Sequence, residues 1–538
     1  MNEKFNDGKN FLIISTDTKS AIYYHNEHPI DMKLIQFLND KYKFHSLCFS
    51  IPTDYKDFFS SIKLSSLSSK INNITICPED DVSIYFSPNR LISCDKQTQN
   101  NIIKICDLNI DSFDFLSKHN RSLLICNDFD KKLIIFPTNI NSPFNKLYNL
   151  KLSGVIFQST NLNMLANSRL KLLELSNLDG LHILKYLPSS LKELWLRNVS
   201  NLEHLLQDLS YTNLETIHII NTSNCKFPEI LNNLPVSLQY LHLKNLIFCK
   251  GQIKSIPVNL KTLYLENCYG YHNFSSIIPK NLKNLYYDLN FSRRHLPKLP
   301  RSNLSLYEKL KIINKDRKKL IKNLPSSLQR IKFDNEFFSQ NGIKLKSFDY
   351  LINCFPTSLS DIHFGHSFNE PIDNLPSNIK YLVLGDSFNQ PIDNLPSSIE
   401  FLDLGNSFDK RIDNLPSSIE TLVLGDSFNQ PIDNLPSRMK YLYLGESFNK
   451  LIDNLPVSLV ELIIKKDSIF NQPISRLPNN LRTLKILSYE FNQPISRLPN
   501  KITELELGSS FNHPIELSSK IKKITIHNSE YTHSRSVK

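Results

Sequence analysis

The sequence predicts a solenoid with one short parallel strand per coil of 20–24 residues, turns and extended chain on the convex side, and a small α/β cap at the N-terminus. Three observations predict it. A phrase beginning at Phe368, Phe388, Phe408, Phe428, Phe448, Phe470, Phe491 and Phe511 recurs at steps of 20, 20, 20, 20, 22, 21 and 20 residues; a fixed period of this size marks stacked units that contact mainly their neighbours. Each unit contains a stretch such as Ile399-Glu400-Phe401-Leu402-Asp403-Leu404, whose last two apolar residues are two apart and so share one face of a strand. Two prolines in most units, as in Phe388-Asn389-Gln390-Pro391-Ile392-Asp393-Asn394-Leu395-Pro396, argue against a return helix, because proline lacks the donor a helix interior needs.

The polar residues of the unit keep a fixed phase. Gly365, Gly385, Gly405, Gly425, Gly445 and Gly508, half of the 12 glycines, follow the strand, where a turn with positive φ is expected. Asn369, Asn389, Asn429, Asn449, Asn471, Asn492 and Asn512 follow the Phe, and stacking would align them as ladders. Solubility alone does not require a fixed phase, so these positions read as structural.

Phe-Asn-x-Pro-Ile followed by Leu-Pro-Ser-Ser-Ile resembles the FNIP repeat family, abundant in social amoebae and giant viruses, and the Leu-x-x-Leu-x-Leu half resembles short leucine-rich repeats. The resemblance covers about 355–526 and is partial upstream. It implies a leucine-rich-repeat-like, right-handed horseshoe or solenoid without assigned catalysis. Lys465 and Leu487 stand where other units have the strand-exit Gly, and Asp409 stands where the pattern has Asn.

The chain has 538 residues, a length that a solenoid reaches by addition. Nine cysteines, an odd number without a C-x-x-C pair, argue against a disulfide scaffold and a zinc site and fit a reducing cytosol, which is host cytoplasm if the chain is viral. No run of 18 apolar residues occurs, so no membrane partner is expected, and the apolar run at 11–14 is too short for a secretory signal.

The expected organisation is a cap over 1–66, degenerate repeats over 67–354, regular repeats over 355–526 and a disordered tail over 527–538. In the cap, 11–14 and 21–24 read as strands and 31–42 as a helix; residues 29–48 faintly echo an F-box. Degenerate strands are expected at 103–105, 123–125, 150–152 and 173–175. The rhythm breaks between Ile278 and Leu324. Residues 293–332 hold 13 Lys or Arg against Glu308 and Asp316, a balance equal to the +11 of the whole chain. Leu306, Leu310, Ile313, Leu320 and Ile321 fall near helical spacing there, which predicts a basic amphipathic helix over 305–322, inserted between coils and not needed by the coil-to-coil core. Its basic patch comprises Arg293, Arg294, Lys309, Lys311, Lys315, Arg317, Lys318, Lys319 and Lys322.

No phosphate loop, dinucleotide fingerprint, nucleophile elbow or zinc-protease motif occurs, so no catalytic residue, cofactor or metal is expected and the chain reads as a non-enzyme. The series Asp373, Asp393, Asp413, Asp433 and Asp453 recurs once per coil and reads as turn residues, since a catalytic pair needs two different environments. His363 and His366 share a coil without a third ligand. The best binding surface is the exposed, concave sheet face, where Tyr381, Val383, Phe401, Asp403, Thr421, Val423, Tyr441, Tyr443, Glu461 and Ile463 point away from the core, Asp403 exposed among them, and vary from unit to unit. The expected function is a scaffold binding other proteins there. An F-box-like adaptor of a ubiquitin ligase is one alternative; binding of acidic surfaces or nucleic acid through 293–332 is another and the less favoured, because basic runs are more often solvated helix faces.

Overall fold

The period of the sequence becomes a ladder of backbone hydrogen bonds. The computed structural model describes residues 352–495, 498–515 and 520–527, and upstream of them the strands and the turns that lead into them. The 31–42 helix, the 29–45 part of the F-box echo, residues 293–317 and the tail beyond His527 lie outside the described residues. The chain divides into two units, Met1–Leu260 and Lys261–Lys538.

In the first unit, Asn2–Asn6, Phe11–Ser15 and Ser20–Tyr24 form an antiparallel meander. Ser20–Tyr24 then pairs in parallel with Ser46–Ile51, which pairs with Asn73–Pro78, so the parallel ladder reaches upstream of the sequence repeat. It continues through Ile102–Cys106, Ser122–Cys126, Asn149–Ser153, Leu172–Ser176, Glu193–Arg197, Thr216–Ile220 and Tyr240–Lys244. The four degenerate strands read from the sequence fall within these rungs.

The second unit runs in the same manner from Thr262–Glu266 to Lys523–Ile526. Asn284–Asp288 pairs directly with Arg330–Phe333 although the chain between them exceeds a full coil, so the ladder is continuous across the break in the sequence rhythm. Residues 318–322 are helical, as expected for the end of that segment. Yet Leu320 and Ile321 are buried, so this turn belongs to the core and is not a detachable insert.

Along each regular strand burial alternates, as in Thr421–Leu424 and Tyr441–Leu444, because successive side chains point to opposite faces. Leu382, Leu402, Leu422, Leu442 and Leu462 are fully buried. Behind them the repeat Phe rings form a stack: Phe388, Phe408 and Phe428 follow one another at 6.0 and 6.2 Å between centroids, with planes 7° and 6° apart. The Leu-Pro-Ser-Ser-Ile phrase is a turn closed by a bond from Ile399 N to Pro396 O of 3.3 Å, and its counterpart in the first unit runs from Leu191 N to Pro188 O at 3.0 Å. The second serine of the phrase ties coils together: Ser398 Oγ donates to Ser377 O and Ile379 O, both at 2.6 Å.

The Asn positions do form a ladder. Each side-chain oxygen accepts the backbone N–H one coil on, as in Asn389 N to Asn369 Oδ1 at 2.9 Å and Asn449 N to Asn429 Oδ1 at 3.0 Å. The Asp series is more than turn-forming: Asn394 Nδ2 donates to Asp373 Oδ1 at 3.1 Å and Asn454 Nδ2 to Asp433 Oδ1 at 3.0 Å, a second inter-coil ladder.

The strand-exit glycines have a different cause from the expected one. Only Gly385 and Gly405 of this series have positive φ, 81° and 72°. Gly425 and Gly445 do not, but a Cβ on them would lie 2.1 and 2.2 Å from the carbonyl oxygens of Gly405 and Gly425. Close approach of successive coils, rather than turn conformation alone, requires glycine here. The departures at Lys465 and Leu487 follow from insertions between strand and Phe. Counted back from the Phe, the equivalent positions are Asp467, with φ 67°, and the fully buried Ser488.

Candidate functional site

The parallel ladder places the predicted face residues in two aligned columns. Tyr381, Phe401, Thr421, Tyr441 and Glu461 are in register across adjacent strands, as are Val383, Asp403, Val423, Tyr443 and Ile463. None of the ten is buried, so all lie opposite the core as expected. Tyr381 and Tyr441 are the open ones, 44% and 38% exposed. The rest are partly covered by their neighbours.

Contacts within the face explain that cover. The Tyr381 and Phe401 rings pack at 6.1 Å. Tyr443 Oη donates to Glu461 Oε1 at 2.6 Å, and burial together with this carboxylate pushes the phenol up to about 12. Asp403, expected to be freely exposed, is half-buried, and its Oδ1 accepts the Gly405 N–H at 3.0 Å. Burial raises its pKa; the Gly405 bond opposes the shift and Asp386 adds to it. Further along, the face becomes ionic: Lys485 Nζ bridges Glu504 at 3.0 Å and Glu506 at 3.5 Å, and Lys523 and His527 join the same carboxylates.

Of the basic patch, Lys318, Lys319 and Lys322 fall on the described helical turn. Arg293, Arg294, Lys309, Lys311, Lys315 and Arg317 are among the residues outside the description. Leu47 and Cys48, the end of the F-box echo, lie in the strand Ser46–Ile51. His363 is on the sheet face of its strand, Asp361–His363, while His366 pairs with Asp386 at the turn beyond it. Among the described residues no three His, Cys, Asp or Glu side chains gather as a metal site, and no helix is long and apolar enough to cross a membrane.

The first unit carries a face cluster that the sequence reading passed over. Glu174, Trp195, His218 and His242 are aligned across four strands. His218 stacks on Trp195, the chain's one tryptophan, with centroids 3.4 Å apart and planes 7° apart. Its Nδ1 is 3.3 Å from His242 Nδ1. The Arg197 guanidinium lies 4.6 Å from the Trp195 ring and 3.3 Å from Glu174, which also holds Lys151 at 3.0 Å. Burial, then His242 and Arg197, lower the His218 pKa to about 3, so it is neutral near pH 7. The rule used for the regular repeats finds this cluster once it is carried back to Leu194-Trp195-Leu196.

These features define a leucine-rich-repeat-like parallel solenoid, a repeat class whose members generally bind other proteins. Within it, residues 371–407, 408–437, 432–467 and 470–510 match the FNIP Repeat family model. Among solved structures the chain is similar to CroV588, described as a novel circular leucine-rich-repeat protein, at 22% identity over 91% of this chain and 73% of that one, with a TM-score of 0.52. It is also similar to YopM from Yersinia enterocolitica, at 16% identity over 80% of this chain and 87% of that one, TM-score 0.38. An internalin, InlF, from Listeria monocytogenes matches at 14% identity over 57% of this chain and 76% of that one, TM-score 0.32. The first likeness supports the fold; the other two are too distant to add to it. No curated protein matches the chain.

Proposed function

We propose that this chain is a non-catalytic scaffold that binds other proteins through the open face of its parallel sheet, with Tyr381, Phe401, Tyr441 and Tyr443 as anchors. The observation that carries the proposal is the contrast between the two sides of each coil. Core, turn and ladder residues repeat with the period, whereas the aligned columns change chemistry from rung to rung and include two well-exposed tyrosines. Aromatic side chains offer large contact area for little conformational entropy, which suits them to anchoring an interface. A cytoplasmic setting is supported by the odd cysteine count without a C-x-x-C pair.

The test is a pull-down at physiological salt with in-cell crosslinking, comparing the native chain with a Tyr381→Ser, Tyr441→Ser double variant. A Leu451→Ser control removes an apolar side chain that is 53% exposed but lies off the strands. Loss of specific partners in the double variant alone, with unchanged thermal stability, is the expected result. Retention of every partner in both overturns the proposal.

A further inference from the structure

We propose that His218 and His242 form a two-ligand site for a divalent transition-metal ion of tetrahedral preference, such as Zn2+, on the sheet face of the first unit. The two residues are direct register partners on neighbouring parallel strands, so both imidazoles leave the sheet on the same side. Their Nδ1 atoms are 3.3 Å apart. Two imidazole nitrogens bound to one zinc ion at about 2.0–2.1 Å with a tetrahedral angle stand about 3.3–3.4 Å apart. A square-planar ion would need them at about 2.9 Å, so the spacing selects the tetrahedral class.

The rings are already held near this geometry. Trp195 covers one face of His218 at 3.4 Å, and the Tyr240 ring lies 5.0 Å from it. Without metal, the Nδ1 atom of one ring donates its proton to the other. With metal, both Nδ1 lone pairs are used and the donor ring carries its proton on Nε2, so no net proton is lost from the pair.

The charges around the pair weigh on both sides. Arg197 and Lys151 oppose a dication, and Glu174 neutralises part of their field by pairing with both. Trp195 Nε1 donates to Glu193, which places a second carboxylate at the edge of the cluster. Since no three potential ligands gather among the described residues, two coordination positions are left for water or for a donor from a bound partner. An open zinc position of that kind suits a protein-binding surface, but the site does not depend on the partner reading above.

The sole tryptophan makes the experiment local. Co2+, a tetrahedral stand-in for Zn2+, is titrated into the full chain while Trp195 emission and visible d–d absorption are followed. The expected result is saturable quenching at one equivalent with a tetrahedral d–d band, both reversed by Zn2+. Both signals should be lost in His242→Gln, whose folding is checked by its thermal melt. Arg197→Gln, which keeps both ligands and removes a cation that acts on His218, should tighten Co2+ binding severalfold. Absence of quenching up to millimolar Co2+ in the native chain overturns the site. So does undiminished quenching in folded His242→Gln, or binding in folded Arg197→Gln no tighter than in the native chain.

Discussion

Asn389 Oδ1 accepts the backbone N–H of Asp409, one coil on, at 3.1 Å, and Asp409 Oδ1 accepts that of Asn429 at 2.9 Å. The ladder therefore needs an acceptor oxygen of this reach, which either an amide or a carboxylate supplies. That accounts for the one Asp in the column. Asn471 offers the cleanest test, since its Oδ1 accepts from Asn492 N and from Gln493 Nε2, both at 3.1 Å. Asn471→Ala should cost about 1–3 kcal/mol by leaving a partly buried N–H without its acceptor. Asn471→Asp should cost less than half of that. Urea midpoints at constant m-value read both.

Phe408 and Asp403 sit on opposite sides of one coil and should respond differently to change. Phe408 is fully buried between Phe388 and Phe428, so Phe408→Ala should cost about 3–5 kcal/mol. Asp403→Asn keeps the acceptor for Gly405 N–H while removing a charge that burial penalises. A carboxyl whose folded pKa is raised binds protons more tightly when folded, so its charged form reduces stability as pH rises through and above the ordinary aspartate range. Asp403→Asn should therefore be neutral or stabilising at pH 7, and that difference should vanish near pH 3. A clear loss of stability at pH 7 would contradict the assigned cause.

The fold was legible because a solenoid repeats its own evidence. Period, strand facing and the Asn ladder all follow from residues in a fixed phase, and neighbouring coils obey the same local physics. What was not legible lies between coils or outside the period. The cause of Gly425 and Gly445 is the carbonyl of the preceding coil, a contact with no sequence-local signature. Asp403 was read as exposed because alternation gives the facing of a residue but not the cover its neighbours provide. The Trp195–His218–His242 cluster escaped because it sits in degenerate repeats, where the columns must be aligned by structure before the residues meet. The end of the basic segment looked like an insertion because its charge dominates its composition, while Leu320 and Ile321 decide its packing.

That last point can be measured directly. Leu320 is 1% exposed, so Leu320→Ala should cost about 2–5 kcal/mol. Lys319, next to it, is exposed, and Lys319→Ala should stay within about 0.5 kcal/mol. Similar small effects at both positions would restore the picture of a detachable helix.

Acid should destabilise the first unit through His218. Its pKa falls from an ordinary 6.5 to about 3 on folding, so between those values the unfolded chain binds more protons. Stability from this group is complete above pH 6.5 and is lost as pH falls towards 3. His218→Gln should weaken the acid dependence of the melting temperature in this window. Because burial is the largest cause, Arg197→Gln should reduce the effect only in part. An acid limb with the same slope in His218→Gln would show that other groups carry it.

Removing one whole period should be tolerated far better than removing half of one. Deleting 408–427 joins Ser407 to Phe428. This sets Phe388 against Phe428, Asn389 Oδ1 against Asn429 N, and Phe401 and Asp403 against Tyr441 and Tyr443, so every ladder closes with a residue of the right type. Deleting 408–417 instead removes Phe408 and Asp409 but keeps the strand Thr421–Leu424. One coil then has a rung without a ring behind it, and the stack from Phe388 to Phe428 is interrupted by its missing member. In a nearest-neighbour solenoid the first change subtracts one unit and one interface, whereas the second leaves a defect that both adjacent coils must absorb. The whole-coil deletion should unfold in one cooperative urea transition with a slightly smaller m-value, in proportion to the lost buried surface. The half-coil deletion should unfold at lower urea in a broadened or two-step transition, as the coils on either side of the defect uncouple. Equal loss of cooperativity in both variants would mean that the regular coils do not stack as interchangeable neighbours.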